Sequence, residues 1–205
     1  MTERFNYPAG RETLSAARAK ALETLLIQKG VITAATVDKV LSFFETKMGP
    51  FNGAKLVARA WVDPEFKARL VADTPAAIAE LDFPDGMNGA EGEHMKAVAN
   101  APGLHNLIIC TLCSCYPWPV LGLPPYWYKD PSFRARAARE PRKILGEFGL
   151  DLAPSTEIKV WDSSAQIRWF VVPERPAGTE HMTEEQLTAL VTPEAMMGVA
   201  VANAA

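Results

Sequence analysis

Three cysteines occupy one six-residue stretch, Cys110-Thr111-Leu112-Cys113-Ser114-Cys115, and the chain has no others. An odd, crowded set of this kind cannot form a disulfide framework. The fold must therefore rest on a buried core, and 205 residues suffice for one domain or one domain with an appendage. In a reducing compartment such a cluster reads as a metal or redox site. Five prolines follow between Tyr116 and Pro131, namely Pro117, Pro119, Pro124, Pro125 and Pro131. Fixed φ angles and missing N–H donors predict a stiff, irregular loop there, with neither strand nor helix.

Upstream of the cluster the pattern is helical. Residues 1–11 read as a loose arm. Leu14, Ala17, Ala21, Leu22, Leu25 and Leu26 recur at helical spacing until Gly30. Thr33 caps a second helix ending at Gly49-Pro50, and Asn52 opens a third through Trp61. Asp63-Pro64 and Thr74-Pro75 each pair a cap with a proline in the first turn, which predicts two short helices more. After Gly86 the texture changes. Leu107-Ile108-Ile109 predicts a short buried strand leading into Cys110. Asp130-Pro131 and Pro141 start helices; Glu157–Trp161 and Ile167–Val172 predict paired strands around the turn Asp162-Ser163-Ser164. Thr183-Glu184-Glu185-Gln186 is a capping box, and Met196–Val201 predicts a last strand. The fold class expected is α+β: a helical N-terminal arm over residues 1–85, then a layered α/β/β/α domain over 86–205 carrying the cysteine loop.

A net charge of −3 gives no electrostatic footprint for nucleic acid or an anionic membrane. No apolar run approaches the ~18 residues of a membrane span, and Met1-Thr2-Glu3-Arg4 lacks the apolar stretch of a signal peptide. A cytoplasmic protein with no nucleic-acid or membrane partner is the expectation.

Several chemistries compete for Cys110-x-x-Cys113-x-Cys115. Closed tetrahedral zinc needs four ligands, and only His105 lies near enough in sequence to be the fourth. An iron–sulfur cluster fails on thiolate count. A redox dithiol leaves the third cysteine without a role. Spacing alone leaves a metal site favoured, zinc included. Because Cys113, Ser114 and Cys115 are consecutive, a metal bound by both sulfurs also faces the backbone nitrogens of Ser114 and Cys115. With Cys110 sulfur on the axis, those donors give five protein ligands and one open position, which suits a Lewis-acid catalyst. So anionic a donor set favours low-spin trivalent cobalt or iron over zinc.

The segment from Cys110 through Pro125, continuing to Trp127-Tyr128-Lys129, strongly resembles the metal-binding segment of nitrile hydratase α subunits. Asn52-Gly53-Ala54-Lys55, Ala60-Trp61-Val62-Asp63-Pro64, Arg139-Glu140-Pro141-Arg142, Val160-Trp161-Asp162 and Pro173-Glu174-Arg175-Pro176 look like family segments in family order. The resemblance spans about residues 15–200. The γ subunit of thiocyanate hydrolase shares the cysteine segment but carries arginine at the position of Trp118, so Trp118-Pro119 favours the nitrile enzyme. Thr111 and Tyr116-Pro117 resemble the cobalt type, whereas iron enzymes usually carry serine at the first position.

The resemblance implies one Co(III) per subunit, with Fe(III) as the alternative. It implies Cys113 as sulfinic acid, Cys115 as sulfenic acid and Cys110 as thiolate. Three sulfur anions and two amidates against a trivalent ion leave roughly two negative charges, which need cationic partners. In the family two arginines of a β subunit meet that need, within an αβ or (αβ)2 assembly. Cys115 and Cys113 are the catalytic candidates, for hydration of R–C≡N to an amide. Trp118 and Tyr116 are candidates for the substrate pocket. Glu91, in Glu91-Gly92-Glu93, stands where the family commonly has a glutamine beside the active site. Arg134, Arg136 and Arg139 read as a helix face toward solvent or partner, Asp162 and Arg168 as a pair flanking the hairpin turn. His94, His105 and His181 read as surface or capping residues.

Overall fold

The computed structural model describes residues 14–46, 48–81, 94–113 and 115–203. Two helices come first, α1 (Leu14–Gln28) and α2 (Ala34–Thr46). Gly30, at φ +68°, ends the run of α1, and the Thr33 hydroxyl accepts from the Thr36 amide at the start of α2. Leu14, Leu22, Leu25, Val40 and Leu41 on this pair are all at least half exposed.

The core begins with α3 (Pro50–Val62). Its start is Pro50 rather than Asn52, because proline fits the first helical position, where no N–H is needed. Asn52 is instead buried in the first turn and donates to the Pro119 carbonyl. Asp63 caps α4 (Pro64–Ala72) through the Phe66 amide, and Asp73 caps α5 (Thr74–Ala79) through the Ala76 amide. The cap is thus Asp73 and not Thr74. Thr74 is fully buried; its hydroxyl donates to the Leu70 carbonyl and accepts from the Ala97 amide, tying α5 to the first strand.

That strand, β1 (Met95–Ala99), was not anticipated; it is short and shares its apolar content with many loop segments. It pairs in parallel with β4 (Arg168–Val172), while β2 (Leu104–Ile109) pairs in parallel with β3 (Glu157–Asp162). The expected β3–β4 hairpin is therefore replaced by two separate two-stranded sheets. Alternation of apolar residues marks a strand but not its partner, and here long crossovers win over the local turn. Ser163 makes the divergence: its amide donates to Ile109 beside β3, and its hydroxyl accepts from Trp169 on β4. Mixed helix and strand, as the α+β expectation held, is what the chain forms, with α4 and α5 packed on β1.

The proline-rich segment is also more ordered than expected. It contains α6 (Trp118–Leu121) and α7 (Tyr126–Lys129). Pro119 sits in the first turn of α6, where a missing donor costs nothing. Beyond them lie α8 (Pro131–Ala137) and α9 (Pro141–Glu147), then α10 (Glu184–Thr188) with its Thr183–Gln186 capping box. The last strand expected over Met196–Val201 is instead the end of a helix, α11 (Pro193–Met197), capped by Thr192 and closed by Gly198 at φ +81°. A Cβ on Gly198 would lie 1.9 Å from the Asn106 carbonyl oxygen, so this turn abuts β2 directly. Gly53 is similarly tight: a Cβ there would lie 2.3 Å from the Val120 carbonyl oxygen, so α3 backs closely onto α6.

Candidate metal centre

Strand β2 ends by delivering Cys110 into the core, where its sulfur is fully buried, while Cys113 is exposed and Cys115 half-buried. The chain then turns back, so that the Cys113 amide approaches Cys110 Sγ at 3.3 Å. All three sulfurs lie within 4.8 Å of one another, with Cys110–Cys113 at 3.5 Å and Cys113–Cys115 at 3.1 Å. No disulfide joins them.

At a metal–sulfur bond of about 2.3 Å, sulfurs sharing one ion lie roughly 3.3–3.8 Å apart. The cluster is compact enough for one ion to meet all three sulfurs. Crowding also shapes how the sulfurs ionise. Burial, then the hydrogen bond with Cys113 and the neighbouring sulfurs, push the Cys115 thiol up to about 12, against the opposing charge of Arg168. Three thiolates cannot share this space without a cation among them, and a bound metal ion inverts that balance.

Three elements grip the backbone of the loop. Asp162, at the end of β3 and paired with Ile109, accepts from the Thr111 amide at 2.9 Å and from the Thr111 hydroxyl. Tyr128 on α7 donates from Oη to the Cys115 carbonyl at 2.9 Å, and burial holds its hydroxyl in the protonated, donating form. Arg134 on α8 donates from Nη1 to the Cys113 carbonyl at 2.7 Å.

The structure revises several expectations here. Arg134 does not simply face solvent or a partner; it faces the cysteine loop. Arg136, two residues on, instead forms an ion pair with Glu147. Helical spacing separates the two, since neighbours two apart point about 200° away from one another. Asp162 turns to Thr111 rather than pairing with Arg168, whose Nη1 donates to the Ala165 carbonyl. His105 is buried rather than superficial: Nε2 meets the Gly198 carbonyl at 2.7 Å, and Nδ1 meets the Asn100 amide. Its distance from a ligand role follows, since both ring nitrogens are engaged. Tyr116 is only 2% exposed, with its ring edge-on to Tyr128 at 5.0 Å and its hydroxyl on Met197 Sδ. Its side chain thus lies beneath the loop. Trp118 is 39% exposed at the start of α6. Ser114 and Glu91 lie outside the described residues. Sequence reasoning did not single out Tyr128 or Arg134 as holding the loop; their only signal was position just beyond the cysteines.

Comparison with known proteins agrees with this geometry. Residues 13–200 match the family described as nitrile hydratase, alpha chain. A low-molecular-weight cobalt-containing nitrile hydratase subunit alpha from Rhodococcus rhodochrous is 54% identical over 186 residues, 91% of this chain and 88% of that protein. A thiocyanate hydrolase subunit gamma from Thiobacillus thioparus is 39% identical, over 88% of this chain and 77% of that protein. Among solved structures, a double mutant of Fe-type nitrile hydratase from Comamonas testosteroni Ni1 superposes with a TM-score of 0.83 at 41% identity, covering 93% of this chain and 91% of that one. With three cysteine sulfurs gathered within 4.8 Å of one another and a match over nearly its whole length, the chain belongs to the nitrile hydratase alpha-chain family.

Proposed function

We propose that this chain is the metal-holding subunit of a cobalt nitrile hydratase, converting R–C≡N and water to the amide. The three-sulfur cluster carries the reading, because it brings three soft donors within reach of one ion. Cys110, Cys113 and Cys115 would hold the ion through sulfur, and Ser114 and Cys115 through backbone nitrogen. Bound there as Co(III), the metal would supply a Lewis acid for the nitrile nitrogen. The relative at 54% identity is cobalt-containing, which supports cobalt over the iron alternative.

The chain's own residues supply the rest. Cys113 as sulfinic acid and Cys115 as sulfenic acid add oxygens at the exposed side of the cluster, and Cys110 stays a buried thiolate. The Cys115 sulfenate oxygen would take a proton from a water whose oxygen adds to the nitrile carbon, the proton passing on to the nitrile nitrogen; were the sulfenate oxygen itself to add, water would then have to restore it. Trp118 lines the approach. Tyr116 supports the loop from below, and Glu91 stands where relatives commonly have glutamine. A β subunit completes the pocket and supplies two arginines, in an αβ or (αβ)2 assembly. The division into an arm over residues 1–85 and a metal-binding unit over 86–205 belongs to the same proposal. Exposure of the apolar residues of α1 and α2 supports the arm, whereas α3 is already part of the core. No described helix is long and apolar enough to cross a membrane, and a cytoplasmic location belongs to the same proposal.

Metal analysis combined with mass spectrometry of the peptide spanning Cys110–Cys115 tests the proposal. One cobalt per chain, two oxygens on Cys113 and one on Cys115 are expected, with amide formed from added nitrile. Zinc on unmodified cysteines would overturn it. Cys115→Ser should abolish both maturation and turnover.

A further inference from the structure

The three grips on the cysteine loop differ in charge. Asp162 is an anionic acceptor and Tyr128 a neutral donor, whereas Arg134 brings a cation. Its position is set by α8, which Asp130 caps through the Phe133 amide and which Phe133 and Ala137 anchor in the core. Between those anchors Arg134 leans toward the loop and donates to the Cys113 carbonyl at 2.7 Å. Among the described residues it forms no ion pair, and its Nε is buried with no hydrogen-bond partner. An arginine half-buried beside a cysteine cluster, with no carboxylate paired to it among the described residues, places a cation at the loop.

The carbonyl it grips is not an arbitrary one. Cys113 C=O and the Ser114 nitrogen belong to the same peptide group. Resonance couples the oxygen to the nitrogen, so a cation on the oxygen draws electron density from the nitrogen. The carbonyl that Tyr128 grips belongs instead to the Cys115–Tyr116 peptide, whose nitrogen is not among the proposed ligands.

We infer that Arg134 is a positioning residue of the metal centre, which holds the Cys113 carbonyl and offsets part of the excess negative charge of the proposed ligand set from within this subunit. The inference rests on the ligand set proposed above. It means that this chain carries a cation of its own at the loop, in addition to any a partner supplies. Arg134 also sets how strongly the Ser114 nitrogen donates.

The test uses the assembled two-subunit enzyme carrying Arg134→Lys, Arg134→Gln or Arg134→Met. Three readings are taken: cobalt retained after a chelator challenge, the visible absorption of the cobalt centre, and oxygens per Cys110–Cys115 peptide. Losing an outer partner of a ligand usually costs roughly tenfold or more in metal affinity, and that loss is expected for Arg134→Met. Arg134→Gln should hold the metal with a shifted absorption band, because the hydrogen bond survives without the charge. Arg134→Lys should recover most of the retention and a band near the wild-type position. Melting temperatures of the metal-free variants should stay together, which separates positioning from a general loosening of α8. Full retention with an unshifted band in Arg134→Met would overturn the inference, as would equal losses in all three variants that track their melting temperatures. A wild-type enzyme that carries no cobalt would instead overturn the ligand set itself.

Discussion

A carboxylate at the end of β3 illustrates how much one residue can organise. Asp162 sits opposite Ile109 in the parallel pair, so its side chain reaches the first residue after Cys110 and accepts from both the amide and the hydroxyl of Thr111. These two hydrogen bonds order the entry to the loop. Asp162→Asn keeps the shape but loses the charge. Less cobalt per chain is expected, by metal analysis, with a secondary structure unchanged by circular dichroism. At the other end of β2 the key residue is His105. Burial holds it below the ordinary imidazole value of 6.5, against the opposing Gly198 carbonyl and Glu174. The folded state thus prefers neutral histidine while the unfolded state takes up a proton below about pH 6.5. This stability contribution is complete above that pH and is lost as pH falls toward the lower folded value. Melting temperature recorded from about pH 7 to about pH 5 should fall in the wild type and fall less steeply in His105→Gln.

The elements around the loop are short, and packing rather than helical propensity must hold them. Four-residue helices such as α6 and α7 have no independent stability in water. The first persists because it packs on α3, where Asn52 donates to the Pro119 carbonyl, and the second because Trp127 stands edge-on to Phe133 at 4.9 Å and to Phe148 at 4.8 Å. Tyr128 and Arg134, which grip the loop, both stand on this cluster. Phe133→Ala should therefore cost about 3–5 kcal/mol by chemical denaturation and should also reduce cobalt retention, because α8 would lose its anchor. Unchanged retention in a destabilised variant would separate the aromatic cluster from the metal loop.

At the scale of the whole molecule, the first two helices differ from those that build the core. From α3 onward the helices bury residues such as Leu56, Val57, Phe66 and Leu70, whereas α1 and α2 leave Leu14, Leu22, Leu25, Val40 and Leu41 open. On the proposed reading, the β subunit would cover this exposed apolar surface. Removing residues 1–46 should leave the melting temperature of the isolated chain nearly unchanged and abolish co-purification with the β subunit. Intact pairing of the shortened chain would move the interface elsewhere.

Local chemistry was enough for much of this. Cap-and-proline pairs such as Asp63-Pro64 and Asp130-Pro131 act over a few bonds, so the sequence by itself determined those helix starts. The cysteine spacing likewise marked the metal site before any fold was known, and the resemblance of the longer segments pointed to the family. Partnership was another matter. The parallel pairing of β2 with β3, the turn of His105 to Gly198 and the burial of Tyr116 depend on residues far apart in the chain. Arg134 and Arg136 have nearly the same local surroundings, yet one meets the Cys113 carbonyl and the other Glu147. Only the tertiary structure decided which, because a side chain's partner is set by what the folded chain brings to its face of the helix.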